Sequence, residues 1–257
     1  MKFARFEVNG KIYNGMVEAE KISVIKGSFW NHFDLTDQKY PISEVSFLPA
    51  VLPTKIVCVG QNYLGHIAEL GMPVPKEPII FLKPPSCLIG HEHPIIYHRV
   101  AERIDYEVEL AVVIRNKMKN VNENDALNYV LGYSCFNDVT RRNMVGNNPL
   151  LLSIAKGFDR FGPFGPYLVT GLNPNHLMLK TYLNGELKRQ DNTNNCVLRI
   201  RQVLSYISKY MTLLPGDIVT TGTPKGIAPM QPGDTVVVEI EGIGCLRNSV
   251  QPDAESK

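Results

Sequence analysis

Ten consecutive residues constrain this chain more than any others: Asp105-Tyr106-Glu107-Val108-Glu109-Leu110-Ala111-Val112-Val113-Ile114. Acidic and apolar positions alternate, then give way to an unbroken apolar run. Alternation marks a strand with two unlike faces, and a continuous apolar run marks one buried on both. The stretch therefore reads as a β-strand with a half-exposed leading end and a buried trailing end. Side chains two apart share a face of a strand, which sets Asp105, Glu107 and Glu109 side by side. Like charges so placed repel. A hard divalent cation such as Mg²⁺ or Ca²⁺, which takes carboxylate oxygens, resolves the conflict. A second apolar run, Val130 to Phe136, ends in Asn137-Asp138 and supplies a third carboxylate. Spacing alone leaves two readings open, a metal site and a solvated acidic strand end.

The 257 residues suffice for one large domain, or for one domain with a small appendage. Lys and Arg number 27 against 25 Asp and Glu, with no basic cluster, so nucleic acid has no support as a partner. Cys58, Cys87, Cys135, Cys196 and Cys245 are odd in number and lack CxxC spacing. They read as buried free thiols of a reducing compartment, not as a disulfide frame or zinc site. No apolar segment is long enough to span a bilayer, and the first residues lack the apolar core of a signal peptide, so a soluble cytoplasmic protein is expected.

Residues 1–52 read as a small β unit. Phe3 to Val8 alternates, Asn9-Gly10 signals a hairpin turn, and the strand pattern resumes at Lys11. Leu48 to Pro53 is an extended connector, and a second unit is expected over 53–257. Ile56 to Val59 and Ile79 to Leu82 read as short strands. Between them a short helix is expected, with Asn62 as N-cap and Gly71 just past its end, placing His66 and Glu69 at i and i+3 within reach of one another. Asn122 to Tyr129 reads as a short helix, Thr140 to Ile154 as a long loop, and Gly162-Pro163-Phe164-Gly165-Pro166 as a rigid turn. Leu179 to Leu183 leads into an Asn184-Gly185 hairpin, Leu198 to Met211 has helical spacing, and Pro-Gly-Asp turns at Pro215 and Pro232 precede further strands. Strands outnumber helices without regular alternation, which argues against a doubly wound parallel sheet. There is no GxGxxG and no P-loop to hold a nucleotide. His91, His93 and His98 lack the partner carboxylates of a known metal pattern and read as residues of a surface loop, and Asp105 reads as the partner of Arg103 or another nearby base.

Several segments together resemble the fumarylacetoacetate hydrolase family. Asn62-Tyr63-Leu64-Gly65-His66-Ile67-Ala68-Glu69 is similar to its N-Y-x-x-H-x-x-E, Asp105 to Leu110 to its D-Y-E-x-E-L, and Asn137 to Arg142 to its N-D-V-[ST]-A-R. Lys156-Gly157-Phe158-Asp159, Asn184-Gly185-Glu186 and Gly222-Thr223-Pro224-Lys225-Gly226 follow in the family's order. The resemblance implies a mixed α+β, predominantly β fold, a β-roll with a small N-terminal β domain, assembled as a homodimer. It implies Mg²⁺ or Mn²⁺ on Glu107, Glu109 and Asp138, with Ca²⁺ able to take the place in crystals. It implies a catalytic dyad, His66 and Glu69, on a short lid helix. Lys156 is expected at the reacting centre, and Arg142, Thr223 and Lys83 against a 2-oxo or 2-hydroxy-dienoic acid. Family chemistry points first to hydrolytic C–C cleavage of an acylpyruvate, with isomerisation of an unsaturated hydroxy-diacid or decarboxylation of oxaloacetate on the same site as alternatives. A non-catalytic 2-oxo acid binder is the reading from another class. Two departures stand out. Arg141 replaces the motif's alanine, and Val145 stands where many members carry glutamine, a loss that weakens the hydrolytic reading and favours isomerisation or decarboxylation.

Overall fold

The computed structural model describes residues 1–253, so the last four residues of the expected 53–257 unit lie outside the described residues. In chain order the strands are β1 (Lys2–Val8), β2 (Lys11–Glu18), β3 (Lys21–Gly27), β4 (Phe33–Pro41), β5 (Ser46–Leu48) and β6 (Ile56–Gly60). Helix α1 (Leu64–Glu69) precedes β7 (Ile79–Lys83), β8 (Leu88–Ile89), β9 (Ile95–Tyr97), β10 (Ile104–Tyr106), β11 (Val108–Ile114), β12 (Val130–Asn137) and β13 (Thr140–Arg141). Then come α2 (Arg142–Asn147), α3 (Leu152–Lys156), β14 (Gly162–Val169), β15 (Met178–Leu183), β16 (Glu186–Asn192), α4 (Ile200–Tyr210), β17 (Ile218–Thr220), β18 (Ala228–Met230), β19 (Thr235–Ile240) and β20 (Gly244–Pro252).

The largest sheet runs β4-β3-β2-β1-β14-β12-β11-β17-β6-β7, with β5 added to β1 and β8 to β14. The first 48 residues thus extend the sheet that holds the acidic strand, through Lys2 and Phe3 opposite Val169 and Leu168. A second sheet runs β16-β15-β19-β20-β9 and a third β13-β10-β18. The fold is predominantly β with few helices, as expected. The two Asn-Gly turns adopt the left-handed backbone that pairs them with hairpins: φ is 50° and 72° at Asn9 and Gly10, and 53° and 81° at Asn184 and Gly185. Helix α4 buries Ile200, Val203, Leu204 and Ile207 in the same core cluster as Val108, Leu110, Val112 and Ile114 from one face of β11. Each such side chain contributes roughly 1.5–3 kcal/mol by leaving water, enough to fix β11 where its carboxylates are needed. Among the described residues no helix is long and apolar enough to cross a membrane.

Several local expectations are corrected. The leading end of the acidic strand is not half-exposed: Asp105, Tyr106 and Glu107 are all buried, because β13 and β18 flank β10. Thr140 to Ile154 is not a structureless loop but the short strand β13 and two short helices, α2 and α3, with a single 3-10 turn between them. Asn122 to Tyr129 forms only a 3-10 turn over Ala126–Tyr129. Gly162 to Pro166 is the start of β14: Pro163 lies opposite Ile89 of the short strand β8, and the register with β12 slips between Gly165 and Val169, where Pro166, lacking an N–H, would interrupt the ladder. Asn62 does not cap α1. Its amide donates to the carbonyls of Thr221 and Leu198 and its oxygen accepts the Leu198 N–H, so it ties three segments together instead. The cysteines are free, but Cys245 is exposed and Cys196 half-buried.

Candidate functional site

Glu107 sits in the break between β10 and β11, Glu109 on β11, and Asp138 just past β12, the antiparallel neighbour of β11. Two hydrogen bonds, one to a side chain and one between backbones, lock this junction. The Asn137 side chain accepts the Glu107 N–H at 2.9 Å, and the Asp138 N–H donates to the Glu107 carbonyl at 2.8 Å. The result is three carboxylates with ligand oxygens within 4.8 Å of one another, each no more than 4% exposed. Among the described residues this is the group of carboxylate, His or Cys side chains spaced to hold a metal ion. His91, His93 and His98 do not join it. His91 accepts the Arg247 N–H, His93 meets Ser46, and His98 meets the Asp159 carbonyl.

Cations press on one side of this cradle. Lys156, at the end of α3, donates to Glu107 at 2.8 Å, Asp138 at 2.5 Å and the Thr140 hydroxyl at 2.7 Å. Arg142 donates to Asp105 at 2.9 Å and also to Glu107, while Arg103 grips Asp105 through two nitrogens as expected. Lys83 departs from expectation. Expected against a bound acid, it is the buried last residue of β7, one step in phase with buried Phe81. Its ammonium gives its three hydrogens to Asp138 at 2.7 Å and to the carbonyls of Val139 and Phe161. With no donor left over, it orients Asp138 rather than reaching a ligand.

The charges divide the three acids. Burial raises the Glu107 carboxyl, but the Lys156 ammonium and Arg142 guanidinium outweigh it and hold that carboxyl well below the usual range. Burial likewise lowers Lys156, and Asp138 and Glu107 outweigh it, so the ammonium is held charged. Glu109 forms no ion pair among the described residues. Burial first, then the charges of Asp138 and Glu107, push its carboxyl well above normal, and it accepts the Gly222 N–H at 3.0 Å. This donor set fits a hard divalent cation. It is all carboxylate oxygen, and each ionised oxygen keeps a lone pair beyond those facing Lys or Arg. The cation would also draw Glu109 back to its ionised form.

The histidine dyad closes over the same end. His66 Nδ1 lies 3.0 Å from Glu69 Oε2 on α1, and the imidazole is only 6% exposed. Glu69 also accepts the Gly226 N–H at 3.0 and 3.2 Å. His66 lies near enough to Glu107 to act on its charge. The segment Gly222 to Gly226 is the common anchor: its first N–H holds Glu109 and its last holds Glu69. Only glycine serves at position 222, where φ is +86° and an added Cβ would meet Asn62 Cβ at 2.9 Å. Between them Thr223, expected against substrate, receives a hydrogen bond from Arg189 Nη1. Arg189 was not singled out by the sequence. Lys188-Arg189-Gln190-Asp191 looks like a solvated strand, yet Arg189 pairs in register with the fully buried Thr181 and is itself buried.

The fumarylacetoacetate (FAA) hydrolase C-terminal model matches residues 55–251, and the Rv2993c-like N-terminal model matches residues 1–49. Over 222 residues the chain is 41% identical to the mitochondrial oxaloacetate tautomerase FAHD2B of Bos taurus, covering 82% of this chain and 71% of that protein. The crystal structure of 5-carboxymethyl-2-hydroxymuconate delta-isomerase from Mycobacterium smegmatis matches with a TM-score of 0.91 at 34% identity, over 98% of this chain and all (100%) of that one. Maleylpyruvate hydrolase from Sphingobium sp. SYK-6, in complex with manganese(II) and pyruvate, matches with a TM-score of 0.81 at 26% identity, over 98% of this chain and 99% of the other. A family match over most of its length, on a site built from that family's motifs, establishes that this chain belongs to the fumarylacetoacetate hydrolase family.

Proposed function

We propose that this chain is a divalent-metal-dependent enzyme that moves a proton between carbon and oxygen of a short 2-oxo acid or its enol, as a tautomerase or isomerase. The observation that carries the reading is the buried imidazole of His66, bonded to the more exposed Glu69 and set beside three buried carboxylates. Glu107, Glu109 and Asp138 would hold Mg²⁺ or Mn²⁺, which supplies Lewis acidity toward the 2-oxo carboxylate end of such a substrate. Lys156 and Arg142 keep Glu107 ionised and fixed. Glu69 takes the Nδ1 side of His66, which leaves Nε2 to carry the substrate proton. The hydrogen bond from Gly226 to Glu69 keeps that imidazole from swinging away, and a bound acid would find Arg142 and Thr223 as its cationic and hydroxyl partners. The names of the bovine relative and the mycobacterial structure support proton transfer at carbon.

Hydrolysis of an acylpyruvate is the second reading, because the same dyad can take a proton from water and because a maleylpyruvate hydrolase is among the structural neighbours. Val145 counts against it, since an apolar side chain replaces an amide that could hold an oxyanion. Purified protein assayed on oxaloacetate, a hydroxymuconate-type diacid and an acylpyruvate, each with Mg²⁺, Mn²⁺ or chelator, separates the readings. Faster tautomerisation or isomerisation than hydrolysis, lost in chelator and restored by the ion, is expected. Faster acylpyruvate cleavage would replace the first reading with the second, and turnover indifferent to chelator would remove the metal.

A further inference from the structure

The β15–β16 hairpin buries a positive charge that its own chain leaves incompletely matched. Arg189 is 4% exposed, and its hydrogen-bond partners among the described residues are the Gly226 carbonyl, at 3.3 Å from Nε, and the Thr223 hydroxyl. Neither carries a charge. Nη2 has no partner among the described residues. The guanidinium lies over the ring of Tyr106, 5.6 Å from its centroid, and the fully buried Tyr106 hydroxyl also lacks a partner there. A buried cation and a buried hydroxyl with hydrogens unspent are costly unless something answers them. A guanidinium in particular is shaped to grip a carboxylate through two N–H groups.

Its position says which anion. Gly222 holds Glu109, Thr223 holds Arg189, and Gly226 holds both Glu69 and the Arg189 Nε. Gly222 and Thr223 are successive residues, about 3.8 Å apart at Cα, so the guanidinium is anchored one step along the chain from the group that positions the cradle. Glu107 and Glu69 are close enough for their charges to act on it, which sets Arg189 at the junction of cradle and dyad. We infer that Arg189 Nη2 and the Tyr106 hydroxyl, with Thr223 beside them, receive a second carboxylate. The substrate is then a 2-oxo diacid or its enol and not a 2-oxo monoacid. This rests on the cradle being the 2-oxo acid site.

The test uses the full-length, Mg²⁺-loaded protein and follows hydrogen–deuterium exchange at C3 by NMR, a readout of keto–enol interconversion that serves oxaloacetate and 2-oxobutanoate alike. The wild type should favour the diacid in kcat/KM by about 10²-fold or more, as a site with buried donors rejects an analogue that cannot engage them. Arg189→Met should collapse that diacid-to-monoacid ratio. Tyr106→Phe, which removes one oxygen and leaves the packing, should lower it by about tenfold, so the test stands even where Arg189→Met does not fold. No diacid preference in the wild type, or equal losses for both acids in the variants, would overturn the inference. If the wild type exchanges neither acid, the proposed reaction fails and calorimetry of the two acids decides the subsite. Tighter diacid binding, weakened in Tyr106→Phe, supports it; equal binding overturns it.

Discussion

Two buried acidic sites in this molecule meet opposite fates. Asp217 ends the turn before β17 and is wholly buried, as Asp138 is. Its carboxylate accepts the Thr54 N–H at 3.0 Å, the Thr54 hydroxyl at 2.7 Å, the Lys55 N–H at 3.2 Å and the Leu214 N–H at 2.8 Å, and pairs with the Lys55 ammonium. Those bonds pin the entry of β6 to the entry of β17, which then run parallel with Ile218 opposite Ile56. Burial opposes ionisation of Asp217, but these donors outweigh it and hold the carboxyl below its usual value. In the cradle, three acids face one another and Glu109 is pushed the other way. Burial is common to both sites. What separates Asp217 from Glu109 is that donors and a cation of its own chain answer the first, while the second faces two like charges and forms no ion pair among the described residues.

That contrast breaks most visibly at Glu109. Glu109→Gln keeps an oxygen for the Gly222 N–H but removes an anionic ligand and a like-charge neighbour of Asp138. Turnover and Mg²⁺ affinity by calorimetry should be lost. In chelator the variant should melt higher by roughly 2–4 °C, on the order of 1 kcal/mol in a chain of this size, because an amide need not take up a proton to be buried beside Asp138 and Glu107. Unaltered Mg²⁺ affinity would show that Glu109 is not a ligand. Next in size is His66→Ala, where loss of an acid–base group should lower kcat by about 10²–10⁴-fold. Mg²⁺ affinity should hold, because the imidazole is bonded to Glu69 and not to the cradle. A fall in metal affinity equal to the fall in rate would move His66 from proton transfer into metal binding.

The two acidic sites also differ in how far the sequence announces them. Alternating Asp105, Glu107 and Glu109, with Asp138 closing a second apolar run, is a local pattern, and the paired strands turn it into a cradle without further help. The i, i+3 spacing of His66 and Glu69 is equally local. The hairpins at Asn9-Gly10 and Asn184-Gly185 and helix α4 are legible for the same reason. Lys83 was obscured by the two prolines after it, although Phe81 and Lys83 alternate in phase and hint at a shared inward face. Helices α2 and α3 are too short and too crowded with Gly, Asn and Pro for periodicity to show. Arg189 lies in a polar strand, and Leu187, two positions away, is 47% exposed while Arg189 is buried. Only its pairing with Thr181 and the approach of the Thr223–Gly226 segment put a charge inside, and both are tertiary facts. Asp217 looks like any Pro-Gly-Asp turn until Thr54 and Lys55 are brought beside it.

Asp217 supplies the smaller effects and the control for the larger ones. Asp217→Asn keeps shape and volume but loses charge-assisted bonds, so it should cost about 1.5–3 kcal/mol. That corresponds to a fall in melting temperature of roughly 3–12 °C for a chain of this length. kcat per folded molecule should not change, since the residue lies apart from cradle and dyad. The loss should also depend on pH in a defined direction. A carboxyl depressed in the folded state binds fewer protons there than in the unfolded chain, whose Asp titrates near about 3.9. Its stabilisation is therefore fully present above that value and disappears as pH falls through the lower folded value. Denaturant unfolding of wild type and Asp217→Asn should differ by a constant amount from pH 8 to about pH 5 and converge as the solution is acidified below about pH 4. A difference that persists undiminished at about pH 2, below the ordinary range of an Asp carboxyl, would mean that the amide variant fails for reasons of shape, and that the charge of Asp217 is not what holds β6 to β17.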